Sequence, residues 1–230
     1  MTITNISSSD NQKKQVIKLV SFDFDGTLVD ANSWLLMNDR CGVKREVDAQ
    51  YYEQYHAGIL TYDGWIQLLV DAWKENVVIT KELGVELSKQ LTLRPGVAET
   101  LEYLKNKGYR IVVTTGGVDI IVRPFLESIG ITEMVFATEC VFKDDTFVGI
   151  VNHAQKDEVG EAGLFKLTVF QDFLEREGIV ADECAHIGDG ANDMEIFSIV
   201  AQPFFFDTGI TAGDIPYPKI SHMTELKEVL

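Results

Sequence analysis

The first apolar run of the chain, Val16 to Phe22, stops abruptly at Asp23, Phe24, Asp25, Gly26 and Thr27. A continuous run closed by turn residues predicts a strand buried on both faces. From residue 31 to about 91 there is no strand signal, and large apolar residues recur at helical spacing. "YDGWIQLLVDAW" predicts one helix and "TKELGVELSKQL" a shorter amphipathic one. Beyond Pro95, which suits a helix start, the pattern alternates. A helix ends at Gly108, "YRIVVTT" is a β-branched strand, and "VDIIVRPFLESIGI" is a helix that Pro124 should kink or start late. Then follow the strand "EMVFAT", a hairpin around Lys143 to Thr146, and the helix "AGLFKLTVFQDFLEREG". The strand "CAHIG", the helix "ANDMEIFSIVA" and the strand "PFFFD" complete the pattern.

Strands alternating with helices require parallel pairing and right-handed crossovers. The fold class is therefore α/β, a Rossmann-like open parallel sheet with helices on both faces. The expected organisation is a core of residues 16–30 and 92–230, an all-helical insertion at 31–91 and a disordered tail at 1–15. In such sheets ligands bind at the carboxyl ends of strands. Asp23, Thr115 and Asp189 each follow a predicted strand, so they should meet at one rim.

Composition narrows the partners. The formal net charge is −16, which repels a nucleic-acid backbone or an anionic membrane surface. No run approaches the ~20 apolar residues that span a bilayer, and the first fifteen residues lack a signal-peptide core. Cys41, Cys140 and Cys184 stand apart, with neither disulfide nor metal spacing, and read as reduced thiols of a cytoplasmic protein.

Four clusters carry chemistry. Asp23 and Asp25 lie two apart, so in an extended chain they point the same way, and a cation or shared proton must relieve their repulsion. Thr115, Gly116 and Gly117 offer a hydroxyl and glycine-exposed N–H groups at a helix start, an anion site. Lys166 lies in an apolar helix with Leu164, Phe165, Leu167, Val169 and Phe170, where it either snorkels to solvent or neutralises phosphate. "GDGAND" sets Asp189 between glycines and Asn192 and Asp193 on the next turn, oxygen ligands suited to Mg2+. Each has a plain alternative as turn or helix-end chemistry. Their joint occurrence, in order and mostly after strands, points to function.

Asp-x-Asp-Gly-Thr, Thr-Gly-Gly, the lysine and Gly-Asp-Gly-x-Asn-Asp together resemble the haloacid dehalogenase superfamily, in its phosphoserine phosphatase-like branch. The resemblance covers residues 16–30 and 92–207, and it places a cap domain at 31–91. It implies Asp23 as a nucleophile that becomes an aspartyl phosphate, and Asp25 as the acid and base. It implies Mg2+ on Asp23, the Asp25 carbonyl and Asp189, with Asp193 close by, and phosphoryl oxygens held by Thr115, Gly116, Lys166 and Asn192. The implied activity is hydrolysis of a small phosphorylated metabolite by a monomer or homodimer. An acid at Asp25 argues against carbon–halogen chemistry, which needs no proton on its leaving group. Transfer to an alcohol acceptor and a non-catalytic phosphate-binding module are the alternatives, the latter opposed by intact Asp23 and Asp25.

The cap departs from that branch. Its substrate-holding glutamate position falls on Asn32 and its arginine position on Gln67, which removes the bidentate carboxylate clamp. Asn32, Ser33, Trp34, His56 and Gln67 are candidates for a different leaving-group pocket. Trp34, Trp65 and Trp73 read as cap core rather than substrate platforms, and His186, Cys184 and Cys140 as packed core residues.

Overall fold

The computed structural model describes residues 16–153, 164–209 and 215–230; the tail expected at 1–15 and the first residues of the helix expected from 162 lie outside these. Strand β1 (Leu19–Phe22) is followed by four helices, α1 (Ser33–Arg40), α2 (Arg45–His56), α3 (Tyr62–Asn76) and α4 (Lys81–Ser88). The alternating region then gives α5 (Val97–Asn106), β2 (Arg110–Thr115), α6 (Asp119–Ser128), β3 (Met134–Phe136) and the pair β4 (Thr138–Lys143) and β5 (Thr146–Asn152). It ends with α7 (Leu164–Glu177), β6 (Cys184–Gly188), α8 (Met194–Phe197), β7 (Gln202–Phe206), β8 (Lys219–Ile220) and α9 (Leu226–Val229).

Six strands form one parallel sheet in the order β3-β2-β1-β6-β7-β8. The chain runs outward from β1 through β2 on one side and through β6 and β7 on the other. The strand order therefore reverses beside β1, where a crevice opens at the carboxyl ends. Side chains alternate between two cores. Val20, Phe22, Val113 and Ile187 belong to a large cluster with α5, α6 and α9, whereas Leu19, Val112 and Cys184 belong to a second with α7 and α8. Every residue of β1 is buried, as expected of a strand covered on both faces.

The hairpin forms where the sequence places it. Asp144 and Asp145 have φ of 48° and 60°, the left-handed pair that a two-residue hairpin turn requires. Lys74 of α3 donates to the Val148 carbonyl at 2.5 Å and Asn152 donates to Asp63 at 3.1 Å, so the hairpin is tied to α3. The helix expected over 191–201 is shorter. A 3-10 turn, Ala191–Asp193, precedes the four residues of α8, because the Asp193 carboxylate accepts from the Gly190 N–H and tightens the entry.

Pro124 does not delay α6, which starts at Asp119 and holds the proline in its interior. Lacking an N–H, Pro124 leaves the Ile120 carbonyl without its helical donor. Gly84 of α4 packs against that carbonyl, and a Cβ at residue 84 would fall 2.2 Å from its oxygen. The helix pair α4 and α6 thus touches backbone to backbone. Gly84→Ala is expected to destabilise the protein by about 1–3 kcal/mol through overpacking, as read by urea unfolding; an unchanged midpoint and slope would refute this packing.

Candidate active site

The crevice beside β1 receives the ends of three strands. Asp23 follows β1 and is only 5% exposed, its N–H donating to the Ile187 carbonyl of β6 at 2.8 Å. Its Oδ1 lies 2.7 Å from the Lys166 ammonium. Lys166 reaches the site from α7 and does not snorkel, for it is buried and also bonds Asp193 Oδ1. Asp193 is fully buried as well, accepting from His186 Nε2 at 2.9 Å and from the Gly190 N–H at 3.1 Å.

His186 is more than a packed core residue. It stands on the α7 face of the sheet in a polar row across three strands. Its Nδ1 is 3.0 Å from Ser21 Oγ, which is 3.0 Å from Thr114 Oγ1. An ionised Asp193 can only accept, so His186 carries its proton on Nε2, and Nδ1 accepts from the Ser21 hydroxyl. Burial holds His186 below its ordinary proton affinity, against the pull of Asp193, which keeps it neutral. The file Thr114–Ser21–His186–Asp193–Lys166 ends on Asp23.

Electrostatics follow from burial. Asp23 is pushed well up by burial, with the Lys166 charge opposing and Asp193 and Asp189 adding to the rise. Burial also pushes Asp193 up, but the charge of Lys166 and the hydrogen bond from His186 outweigh it and hold the group at about 2. Asp189 is raised by burial, against the hydrogen bond from Thr27, whose hydroxyl donates to Oδ1 at 2.9 Å. Gly26, with φ +79°, permits this approach: a Cβ there would fall 2.3 Å from Asp189 Oδ2.

One ligand oxygen from each of Asp23, Asp189 and Asp193 lies within 4.8 Å of the others. All are hard carboxylates in a crevice with glycine backbone, a donor set that fits Mg2+. The Asp193 oxygens already accept Lys166, His186 and the Gly190 N–H. Asp23 and Asp189 each retain an oxygen for a cation.

Asp25 is held apart from this group, by the first residue of α1. The Ser33 N–H donates to Oδ1 at 2.8 Å and the Ser33 hydroxyl to Oδ2 at 2.6 Å, while the Val118 N–H donates to the Ser33 oxygen at 3.0 Å. Ser33 therefore joins Asp25, α1 and the loop after β2, a role not apparent from the sequence. Arg94 is another residue that pattern reading passes over: its Nε donates to the Gly26 carbonyl at 2.7 Å and braces the loop from behind. Thr115 accepts the Gly117 N–H at 2.9 Å.

Asp23, Asp25, Asn32, Thr115, Gly116, Asp189 and Asn192 line one cavity of about 400 Å3 together with Trp34 and Trp65. Trp73 is a core residue, fully buried and donating to Asn38 at 2.6 Å, but Trp34 and Trp65 are walls of the site. Asn32 also caps α1, accepting the Leu35 N–H at 3.0 Å. Gln67 lies elsewhere: it lines a separate cavity of about 160 Å3 and donates to Asp71 at 2.7 Å.

The description "haloacid dehalogenase-like hydrolase" matches residues 17–198. The phosphoserine phosphatase of Methanocaldococcus jannaschii is 30% identical over 184 residues, 78% of this chain and 81% of that protein. Among solved structures, a phospho-aspartyl intermediate analogue of phosphoserine phosphatase superposes with a TM-score of 0.64 at 26% identity, over 84% of this chain and 87% of the other. A substrate-bound phosphoserine phosphatase shares the fold, with a TM-score of 0.70 at 23% identity over 93% and 98% of the two chains. The chain belongs to the haloacid dehalogenase-like hydrolases, in their phosphoserine phosphatase-like branch, and is an enzyme of the phosphoric monoester hydrolase class.

The Asp25 environment sets a pH dependence. Burial pushes its carboxyl from an ordinary 3.8 to about 6, against the two Ser33 hydrogen bonds. Because the folded value is the higher, the favourable contribution is complete below 3.8 and is lost as pH rises to about 6. Asp25→Asn, which cannot ionise, is expected to gain stability on wild type by about 3 kcal/mol between about pH 4 and pH 7. Unfolding of both proteins in chelator reads this; a difference that does not vary with pH would contradict it.

Proposed function

We propose that the protein is a Mg2+-dependent phosphatase of small phosphomonoesters, working through an aspartyl phosphate on Asp23. The observation that carries this reading is the buried Asp23 carboxylate, 2.7 Å from the Lys166 ammonium, facing a cavity it shares with Asp25, Thr115, Asp189 and Asn192. The family match and the phospho-aspartyl analogue among the similar structures support it.

The phosphoryl group enters at the polar end of the cavity. Asp23 attacks phosphorus, the Asp23–phosphorus bond forms as the ester phosphorus–oxygen bond breaks, and Asp25 gives its proton to the leaving alkoxide. Asp25, now a carboxylate, takes a proton from water, whose oxygen attacks phosphorus, frees Asp23 and releases inorganic phosphate. Ser33 orients Asp25 for both steps. Lys166, Thr115, the Gly116 N–H and Asn192 hold the phosphoryl oxygens. A Mg2+ ion held by Asp23, Asp189 and the Asp25 carbonyl, with Asp193 reached directly or through water, would neutralise charge on those oxygens.

Residues 31–91 act as a cap over a core of 16–30 and 92–230, and their closure excludes bulk water while the phosphoryl group passes to Asp23. Trp34 of α1, which donates to the Gly116 carbonyl at 2.8 Å, supports this reading as a latch between the cap and the phosphate loop. The isolated cysteines, all free, suit a reducing cytoplasm. Among the described residues no helix is long and apolar enough to cross a membrane.

The test is phosphate release from a panel of phosphomonoesters with and without Mg2+, beside Asp23→Asn. Release should require Mg2+ and fall by at least about a thousandfold in the variant. Metal-independent release, or an Asp23→Asn enzyme within tenfold of wild type, would overturn the proposal.

A further inference from the structure

The cavity at Asp23 is lined by polar groups of the strand ends and, away from them, by Tyr52, Tyr55, Tyr62 and Trp65, with Trp34 beside Gly116. All three tyrosines meet one indole: Tyr52, Tyr55 and Tyr62 lie 5.5, 5.7 and 6.0 Å from Trp65 between ring centroids. These four rings therefore make one continuous wall. Both indole N–H groups are committed within the protein, Trp65 to Asp48 at 3.1 Å and Trp34 to the Gly116 carbonyl. What the tryptophans retain for a ligand is ring surface.

The charge behind that surface is negative. Asp48 accepts from two neutral donors, the Trp65 indole and the Asn38 amide at 3.2 Å. The nearby Arg45 guanidinium is bonded instead to Asp39 at 2.9 Å. A carboxylate on the indole N–H enriches the electron density of the ring and strengthens its attraction for a cation. The wall continues into a neighbouring cavity of about 390 Å3, lined by Trp34, Tyr52, Tyr62 and Trp65 with Asp48 and Arg45. Among the described residues neither lysine nor arginine lines the cavity at Asp23, the Lys166 ammonium being buried behind that carboxylate, and the net charge is −16. A carboxylate on the leaving group would meet no guanidinium fork there. An ammonium would meet ring faces backed by a carboxylate.

Building on the phosphatase reading above, we infer that the substrate is a phosphomonoester of an ammonium-bearing, carboxylate-free alcohol. Its phosphoryl group sits at Asp23 and its cationic end lies against Tyr52, Tyr62 and Trp65.

The experiment measures Mg2+-dependent phosphate release by the full chain from phosphocholine, from its uncharged isostere 3,3-dimethylbutyl phosphate, from phosphoserine and from p-nitrophenyl phosphate. The kcat/KM for phosphocholine should exceed those of the isostere and of phosphoserine by about tenfold or more. Tyr52, 49% exposed at the rim, provides a variant that the fold tolerates. Tyr52→Leu should shrink the phosphocholine-to-isostere ratio about fivefold, and Tyr52→Phe, which keeps the ring, should preserve it. Phosphoserine or the isostere used as well as phosphocholine, or a ratio unmoved in Tyr52→Leu, overturns the inference and leaves the phosphatase standing. No release from any of the four esters overturns both.

Discussion

The candidate active site is organised around one buried cation. Lys166 bonds Asp23 and Asp193 in a place with almost no access to water. A buried ammonium is costly without partners, and so is a buried carboxylate, so the three groups hold one another in place. Asp193 is the anchor of the set. His186 and the Gly190 N–H fix its oxygens, and the row through Ser21 and Thr114 fixes His186. The geometry of Asp23 is thus set by residues on three neighbouring strands and α7, whose register the hydrophobic cores on both faces of the sheet enforce.

The second organising feature is the division of labour within the cavity. Its polar end is built from core strand ends, where parallel strands deliver distant residues to one rim. The far end is built from α1, α2 and α3, and it is made of rings. Ser33 joins the two, gripping Asp25 with both its N–H and its hydroxyl. Asp25 is therefore oriented by the segment that also lines the aromatic part of the cavity, so in the proposed mechanism proton delivery and leaving-group binding share one support.

Much of this was legible in the sequence because the core strands are buried on both faces and read as predominantly apolar runs. Residues that follow such runs, Asp23, Thr115 and Asp189, could be placed at one rim without coordinates. The polar row was not legible: Ser21, Thr114 and His186 are single polar residues in separate strands, and only the strand register aligns them. The tryptophans show the limit of periodicity in a helix with apolar residues on more than one side. Trp73 is core and Trp65 is wall, though the two lie on one helix. Gln67 lies two residues beyond Trp65, about 200° further around the helix, which carries it to a different cavity. The contact of Gly84 with Ile120 depends on a carbonyl freed by Pro124, and no single-segment pattern encodes it.

The central claim is that Asp23 becomes covalently phosphorylated, and trapping that species tests it most directly. The protein would be mixed with Mg2+ and a phosphomonoester labelled in its phosphoryl group, quenched in acid within milliseconds, digested and examined by mass spectrometry. The account predicts one phosphoryl group on Asp23, stable in acid and removed by hydroxylamine as an acyl phosphate. Label on another residue, or turnover with no label at any quench time, would contradict it.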